Sequence, residues 1–368
     1  MGAGRNSRPS GYSIGDAPAS RPGQRFLQPG LLGNLWQAWR LRNRRRALLA
    51  RALRKRRELR RVTNHTASIR KGAILCAMVV RNEANRLPWF LDHHRALGVN
   101  HFLIIDNDST DSTAALLRDQ PDVSLWSTTG SYRKSRFGLD WLNWVLMRHG
   151  NGHWCLVLDA DELLVYPWHE TRPLPALTGW LDSQGLAAMP AMMLDLYPEG
   201  PLGQHPYTPG SDPLQLLQWF DSGNYSLQVQ PQLRNLWIQG GPRARSFFAD
   251  DPRRAPTLNK IPLVKWSWRY AWLNSTHSLL PARLNHTYAR DGGELISGAL
   301  LHTKFLPEII EKSAEEKERR QHFADPTRFG DYYDGLIAAP QLKTPESKRY
   351  SGWRQLEALG LLSRGGWV

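Results

Sequence analysis

The hydrophobic pattern starts late in the chain. Residues 1–30 are rich in Gly, Ser, Pro and Arg, with too little apolar content to order, which predicts a disordered tail. Over 31–61, Leu31, Leu32, Leu35, Trp36, Trp39, Leu48, Leu49, Ala52 and Leu53 recur at helical spacing among Arg40, Arg42, Arg44 to Arg46 and Arg54 to Arg61, predicting a basic amphipathic helix. Residues 73–80 are an unbroken apolar run, as in a strand covered on both faces. Leu87, Phe90, Leu91, His94 and Leu97 then keep a helical period that stops at Gly98, and 101–105 read as a second strand. Strand, helix, strand at this spacing is a βαβ unit, which demands a parallel pair and a right-handed crossover. A helix at 114–117, a strand at 123–127, a helix at 137–147 and a strand at 154–158 extend this to a sheet of at least four strands.

Beyond Pro167 the alternation fades. Short strands at 186–196, 226–232 and 236–238 predict an antiparallel or irregular region built on the first half. A charged, solvated helix is expected over 308–321 and a short closing helix over 356–362. The division is thus a tail (1–30), a basic helical arm (31–71), an α/β domain (72–330) and a C-terminal helical extension (331–368).

Charge sharpens this division. Residues 1–71 hold eighteen Lys and Arg against Asp16 and Glu58, a net of +16, while the whole chain is +15, so the body is close to neutral. Polyanion binding is therefore confined to the arm. Its helix suits either the interface of an anionic membrane or docking on its own domain, and nucleic acid is the weaker partner. Cys76 and Cys155 sit in apolar runs with no C-x-x-C, as buried free thiols of a reducing compartment do. The first residues lack the apolar core of a signal peptide, and no run of 18 apolar residues occurs. These features predict a cytoplasmic protein whose arm can lie on the inner face of the membrane.

The candidate chemistry lies where strands end. Arg81-Asn82-Glu83, the acids from Asp106 to Asp111, and Asp159-Ala160-Asp161-Glu162 all follow apolar strands, and ligands of open α/β sheets sit beyond the carboxyl ends of their strands. Asp159 and Asp161, two apart on an extended chain, point to one side and can share a hard cation such as Mn²⁺ or Mg²⁺, which in turn holds phosphates. Lys134 and Arg136 are candidate phosphate cations, as are Arg243, after two glycines, and Lys260. Trp219, Trp237, Trp266, Trp268 and Trp272 crowd the second half, where indole faces could stack on sugar rings.

Val79-Val80-Arg81-Asn82-Glu83-Ala84, the run Leu-Ile-Ile-Asp-Asn-Asp-Ser-Thr-Asp-Ser-Thr at 103–113 and Leu-Asp-Ala-Asp-Glu at 158–162 resemble the GT-A nucleotide-sugar glycosyltransferases, in a family-2-like branch. Gly240-Gly241-Pro242-Arg243, Lys260-Ile261-Pro262-Leu263-Val264 and Leu300-Leu301-His302-Thr303-Lys304-Phe305 are similar to that branch as well. The resemblance covers about residues 72–330. It implies a Rossmann-like mixed sheet with flanking helices and a metal-dependent transfer of sugar, with inversion, from a nucleotide-sugar donor to a hydroxyl of a glycan or glycolipid acceptor, in surface glycan biosynthesis. Asp161 and His302 would ligate the metal, with His277 a weaker choice, and Asp159 would contact the ribose or the metal. Asn82, Glu83 and Asp106 would meet the nucleoside, although Asn107 stands where the family usually has an acid. Asp195 is preferred over Asp221, Asp250 and Asp291 as the base that deprotonates the acceptor. The alternatives are a nucleotidyltransferase, for which the glycines after the first strand are missing, and a non-enzymatic membrane- or polyanion-binding protein.

Overall fold

A computed structural model describes residues 31–233, 235–288, 295–319 and 330–368; the expected tail and Asp291 lie outside the described residues. The chain enters as helix α1 (Leu31–Lys55) and a two-residue strand β1 (Arg60–Arg61). Then follow β2 (Leu75–Val80), α2 (Leu87–Ala96), β3 (His101–Asp106), α3 (Thr113–Arg118), β4 (Val123–Ser127), α4 (Leu139–His149), β5 (Trp154–Val157), β6 (Glu162–Val165), α5 (Leu174–Ser183) and β7 (Ala188–Asp195). The second half contains β8 (Trp219–Asp221), β9 (Tyr225–Val229), β10 (Leu236–Gly240), α6 (Gly241–Phe247), β11 (Asn259–Lys265), β12 (Ala271–Asn274), β13 (Ser278–Leu280), β14 (Gly298–His302), α7 (Ile309–Arg319), α8 (Gly330–Ile337), β15 (Ser347–Arg349) and α9 (Trp353–Ala358).

Among the described residues one nine-stranded sheet dominates, in the order β1-β4-β3-β2-β5-β11-β7-β14-β6. Strands β4, β3, β2 and β5 are parallel, as the βαβ reading requires. Strand β11 runs antiparallel between β5 and β7, and β14 lies parallel to β7 and antiparallel to β6. The apolar runs are unbroken because both faces are covered: Cys76, Met78, Phe102 and Ile104 enter one core, while Leu75, Ala77, Leu103 and Ile105 pack on Trp141, Trp266 and Trp272 in the other. This is the mixed α/β, Rossmann-like sheet with flanking helices. Its directions bring the carboxyl ends of β2, β3, β5, β7 and β14 and the amino ends of β6 and β11 to one rim.

Four expectations change. The amphipathic helix ends at Lys55, not at 61; Arg60 and Arg61 instead pair with Ser127 and Trp126 at the edge of the sheet. Leu48 and Ala52 are buried, and Arg51 donates to the buried Asp140 of α4 at 2.5 Å, so the arm is built into the body that was expected to begin at Gly72. The second half, expected as an antiparallel or irregular region built on the first, instead shares its sheet: β7, β11 and β14 complete the main sheet, and among the described residues only small ribbons (β9–β10, β12–β13, β8–β15) stand outside it. Nor are the last residues a purely helical appendage: β15 pairs with β8, and Trp353 and Trp367 are buried beside Trp168.

Candidate active site at the sheet rim

The rim is organised by a row of residues in register. His302, the last residue of β14, pairs with Glu162 on one side and Asp195 on the other. Neighbouring positions in register point to the same face of a sheet, so two carboxyls flank one imidazole. The Asp-Ala-Asp turn between β5 and β6 then brings Asp161 up to the free side of the ring. His302 Nδ1 lies 2.5 Å from Asp195 Oδ1, and Nε2 lies 3.1 Å from Asp161 Oδ2. Burial would discharge the ring, but the neighbouring Asp161 and Asp195 outweigh it and raise the His302 pKa. Burial likewise opposes ionisation of Asp195, but the charge of Arg243 and the His302 hydrogen bond hold it down to about 2. Asp161 is held well below the ordinary carboxylate value by His302, Lys304 and Arg86 against its burial.

A second cationic centre sits beside the first. Lys260, at the amino end of β11, is buried and donates to Asp159 Oδ2 at 2.8 Å and to Glu162 Oε1. Burial favours the neutral amine, yet the two carboxylates raise its pKa. Glu162 is fully buried; its burial, with the charges of Asp159 and Asp161 and against the pull of Lys260, pushes its pKa up to about 7. Its second oxygen accepts the Asp159 N–H at 3.1 Å, which fixes the turn. The Asp159 side chain remains 55% exposed, so this end of the rim is open to solvent.

Arg243 completes the centre. Its Nε donates to Asp195 Oδ2 at 2.7 Å, and its Nη2 is buried without a hydrogen-bond partner. It is delivered by the turn from β10 into α6, where Gly240 has φ +148° and a Cβ would lie 2.0 Å from the Asn224 carbonyl oxygen, so only glycine fits. Lys304, two residues beyond His302, is lowered in pKa by burial while Asp161 pulls the other way.

The structure brings Asp159, Asp161, Lys260, His302, Asp195 and Arg243 together, as the sequence predicts, but not all in the expected parts. Asp195 is not placed as a general base: it is buried, and both oxygens are taken by His302 and Arg243. Arg136 is not free to bind phosphate, since it is committed to Asp140 and to the carbonyls of Trp272 and Leu273. Lys134 is exposed, and its carbonyl is held by Arg51. Asp106 and Asn107 are buried and shape the rim, Asp106 accepting from Ser109 and Asn107 donating to the carbonyls of Thr128 and Gly130, so they present little surface to a nucleoside. Asn82, in a left-handed conformation at φ +52°, accepts the Thr110 N–H at 2.8 Å and staples β2 to β3. Glu83 pairs with Arg86 and with Lys312 of α7.

His277 is turned to the Asn259 carbonyl, and burial lowers its pKa to about 4. Of the remaining acids, Asp221 is bound by Arg245 and Tyr197, and Asp250 is exposed. Trp266 and Trp272 are core, not a sugar platform. Glu162 is read only as part of the polar cluster, and Lys304 and Arg86 are given no part in the site. For the first two a signal existed: Glu162 adjoins the acid pair, and Lys304 lies two positions past His302, where an extended chain returns to the same side.

The donor set fits a divalent ion. Asp161, Glu162 and His302 offer ligand atoms within 4.8 Å of one another. A histidine whose far nitrogen is held by a carboxylate, as Asp195 holds His302, is the usual second shell of a metal-binding imidazole.

No protein-family model matches the chain, and no curated protein does. Among solved structures the mannosyltransferase PcManGT from Pyrobaculum calidifontis, in complex with GDP-Man and Mn2+, aligns at 20% identity over 43% of this chain, with a TM-score of 0.27. The chain spans 47% of that protein's length, and the likeness is too slight to carry an argument.

Proposed function

We propose that the rim binds a nucleotide-sugar and a divalent cation, and that the protein is an inverting, GT-A-like glycosyltransferase acting on a hydroxyl of a glycan or glycolipid. The observation that carries this reading is the paired arrangement at the strand ends: Asp161 and His302 as an acid–imidazole pair backed by Asp195, next to an open Asp159 tied to Lys260. Asp161 and His302 would hold Mn²⁺ or Mg²⁺, with Glu162 reaching it only if Lys260 yields. Such an ion neutralises charge on a leaving diphosphate.

The chain's own residues supply the rest. Asp195 fixes the His302 ring and keeps Nε2 aimed at Asp161. The unpartnered Nη2 of Arg243 and the ammonium of Lys304 would take anionic oxygens, adding stabilisation where charge builds during transfer. Asn82 and Glu83, at the neighbouring strand end, would line the nucleoside side. Asp159 keeps exposed carboxylate surface and can meet ribose hydroxyls.

The Asp161→Asn variant keeps the shape of the turn, because the backbone carbonyl that accepts from Thr303 is untouched. It should keep its circular dichroism while losing at least a hundredfold in metal-stimulated transfer or donor hydrolysis, in line with loss of a charge-stabilising group. Wild-type turnover in a folded variant would remove the metal from the reading. Proton NMR of the first product reads the anomeric configuration, and retention would contradict inversion.

A further inference from the structure

The two sides of α1 differ in kind. Leu41, Leu48 and Leu49 turn toward Ala271, Leu273 and Leu280 of the β12–β13 ribbon. An exposed stripe carries Leu35, Trp39, Arg42, Arg46 and Leu53 at i, i+4, i+7, i+11 and i+18, which a 3.6-residue period places in one line. Leu35, Trp36 and Trp39 are each about 60% exposed, and Arg40 stacks over the Trp36 ring. A solvent-facing stripe that interleaves indoles and leucines with arginines costs free energy in water and has the composition of a helix lying in a bilayer interface.

Folding adds cations that the helix alone does not contain. Helix α1 packs on the β12–β13 ribbon, Arg269 lies in the turn before β12, and Arg283, just after β13, donates to the Tyr270 hydroxyl at 3.4 Å, so the ribbon sets two guanidiniums beside the basic helix; in keeping with this, burial and then Arg42, Arg269, Arg46 and Arg283 lower the pKa of Arg45. Beside them Trp268 is exposed, with Arg269 over its ring at 4.9 Å. Like charges held together by the fold repel one another, and an anionic surface relieves that repulsion.

We propose that α1 and this cluster form a docking surface for an anionic lipid bilayer, with Leu35, Trp36, Trp39 and Leu53 at the headgroup boundary and Arg42, Arg46, Arg269 and Arg283 on acidic headgroups. The leucines decide for lipid over nucleic acid: bases can stack on the indoles, but Leu35 and Leu53 would gain nothing from a phosphate backbone. The surface is joined to the rim. Gln37 Nε2 donates to the Gln232 carbonyl at 2.7 Å, in the loop of the β9–β10 hairpin, whose other end is Gly240 beside Arg243. A lipid-borne acceptor suits that connection, although docking itself does not depend on the proposed transfer.

The test is flotation of the full chain with vesicles of phosphatidylcholine alone or mixed equally with phosphatidylglycerol. Binding only to the acidic vesicles, a blue shift of tryptophan emission and release by high salt are expected. Replacing Arg42 and Arg269 by Gln should weaken partitioning about fivefold per arginine, the equivalent of ~1 kcal/mol each. Trp36→Ser with Trp39→Ser should remove the blue shift, with circular dichroism and transfer to a soluble acceptor unchanged. The proposal is overturned if the full chain stays in the aqueous phase with acidic vesicles at low salt, if these variants partition like the wild type, or if single-stranded RNA competes the protein off the vesicles while the tryptophan changes leave binding intact. Because vesicle binding and transfer are read separately, failure of docking is distinguishable from failure of the transferase reading.

Discussion

Lys260 shows how single residues set the character of the rim. Its ammonium is buried between two carboxylates, one of which, Glu162, has no solvent contact. Removing the cation leaves Glu162 as a buried, unpaired acid, so Lys260→Met should destabilise the fold by about 3–5 kcal/mol in urea unfolding near neutral pH. A carboxyl whose folded pKa is raised opposes folding once the unfolded chain ionises, so that penalty should shrink as pH falls toward 4.5, the ordinary value for Glu. Asp195 has the opposite sign. Its folded pKa of about 2 lies below the ordinary 3.8, so its contribution is complete above 3.8 and is lost as pH falls toward 2. Acid unfolding of Asp195→Asn should lack this part of the pH dependence, worth about 2 kcal/mol. The same variant should bind Mn²⁺ about 10–100-fold more weakly by calorimetry, because His302 loses its anchor. The acid pair was legible as polar residues at the end of an apolar strand, but the strand period did not place them: both lie in the turn between β5 and β6, where Asp159 meets Lys260 and Asp161 alone meets His302. The office of Asp195 was not legible, since nothing local announces that Arg243, 48 residues on, will occupy its second oxygen.

At the scale of elements, the first half of the sheet was legible and the second was not, for a physical reason. Strands β2, β3, β4 and β5 are plain apolar runs with helices between them. Strands β7 and β11 carry Pro190 and Pro262, which argue against a central strand, and the structure accommodates them at a register shift between Lys260 and Leu263, where the ladder is already interrupted. β1 is two arginines and has no pattern at all. Because the arm is packed into the body, Leu48→Ala should cost about 2 kcal/mol or more in thermal or urea unfolding, an effect a solvated arm would not produce. Gly240→Ala would drive a methyl into the Asn224 carbonyl; beyond a loss of about 1–3 kcal/mol from backbone strain, it should displace Arg243 and weaken nucleotide binding in the same preparation.

Over the whole molecule, charge and chemistry are separated. A near-neutral α/β body carries the acid-rich rim at one edge of its sheet, and a helix packed on α4 and the β12–β13 ribbon carries eight Lys and Arg with no acid. The closing segment is part of the body, through Trp353 and Trp367, and no helix among the described residues is long and apolar enough to cross a membrane.

On the proposed function, the rim around Asp161 and His302 takes a divalent ion together with a nucleotide-sugar. Thermal unfolding of the full chain against a panel of nucleotide-sugars, with and without Mn²⁺, tests it directly. A ligand at a hundred times its Kd adds about 2.7 kcal/mol, so one donor with Mn²⁺ should raise the melting temperature by several degrees, and chelator or Asp161→Asn should abolish the rise. No shift with any donor, or the same shift in Asp161→Asn, would rule out a metal-dependent donor site at this rim.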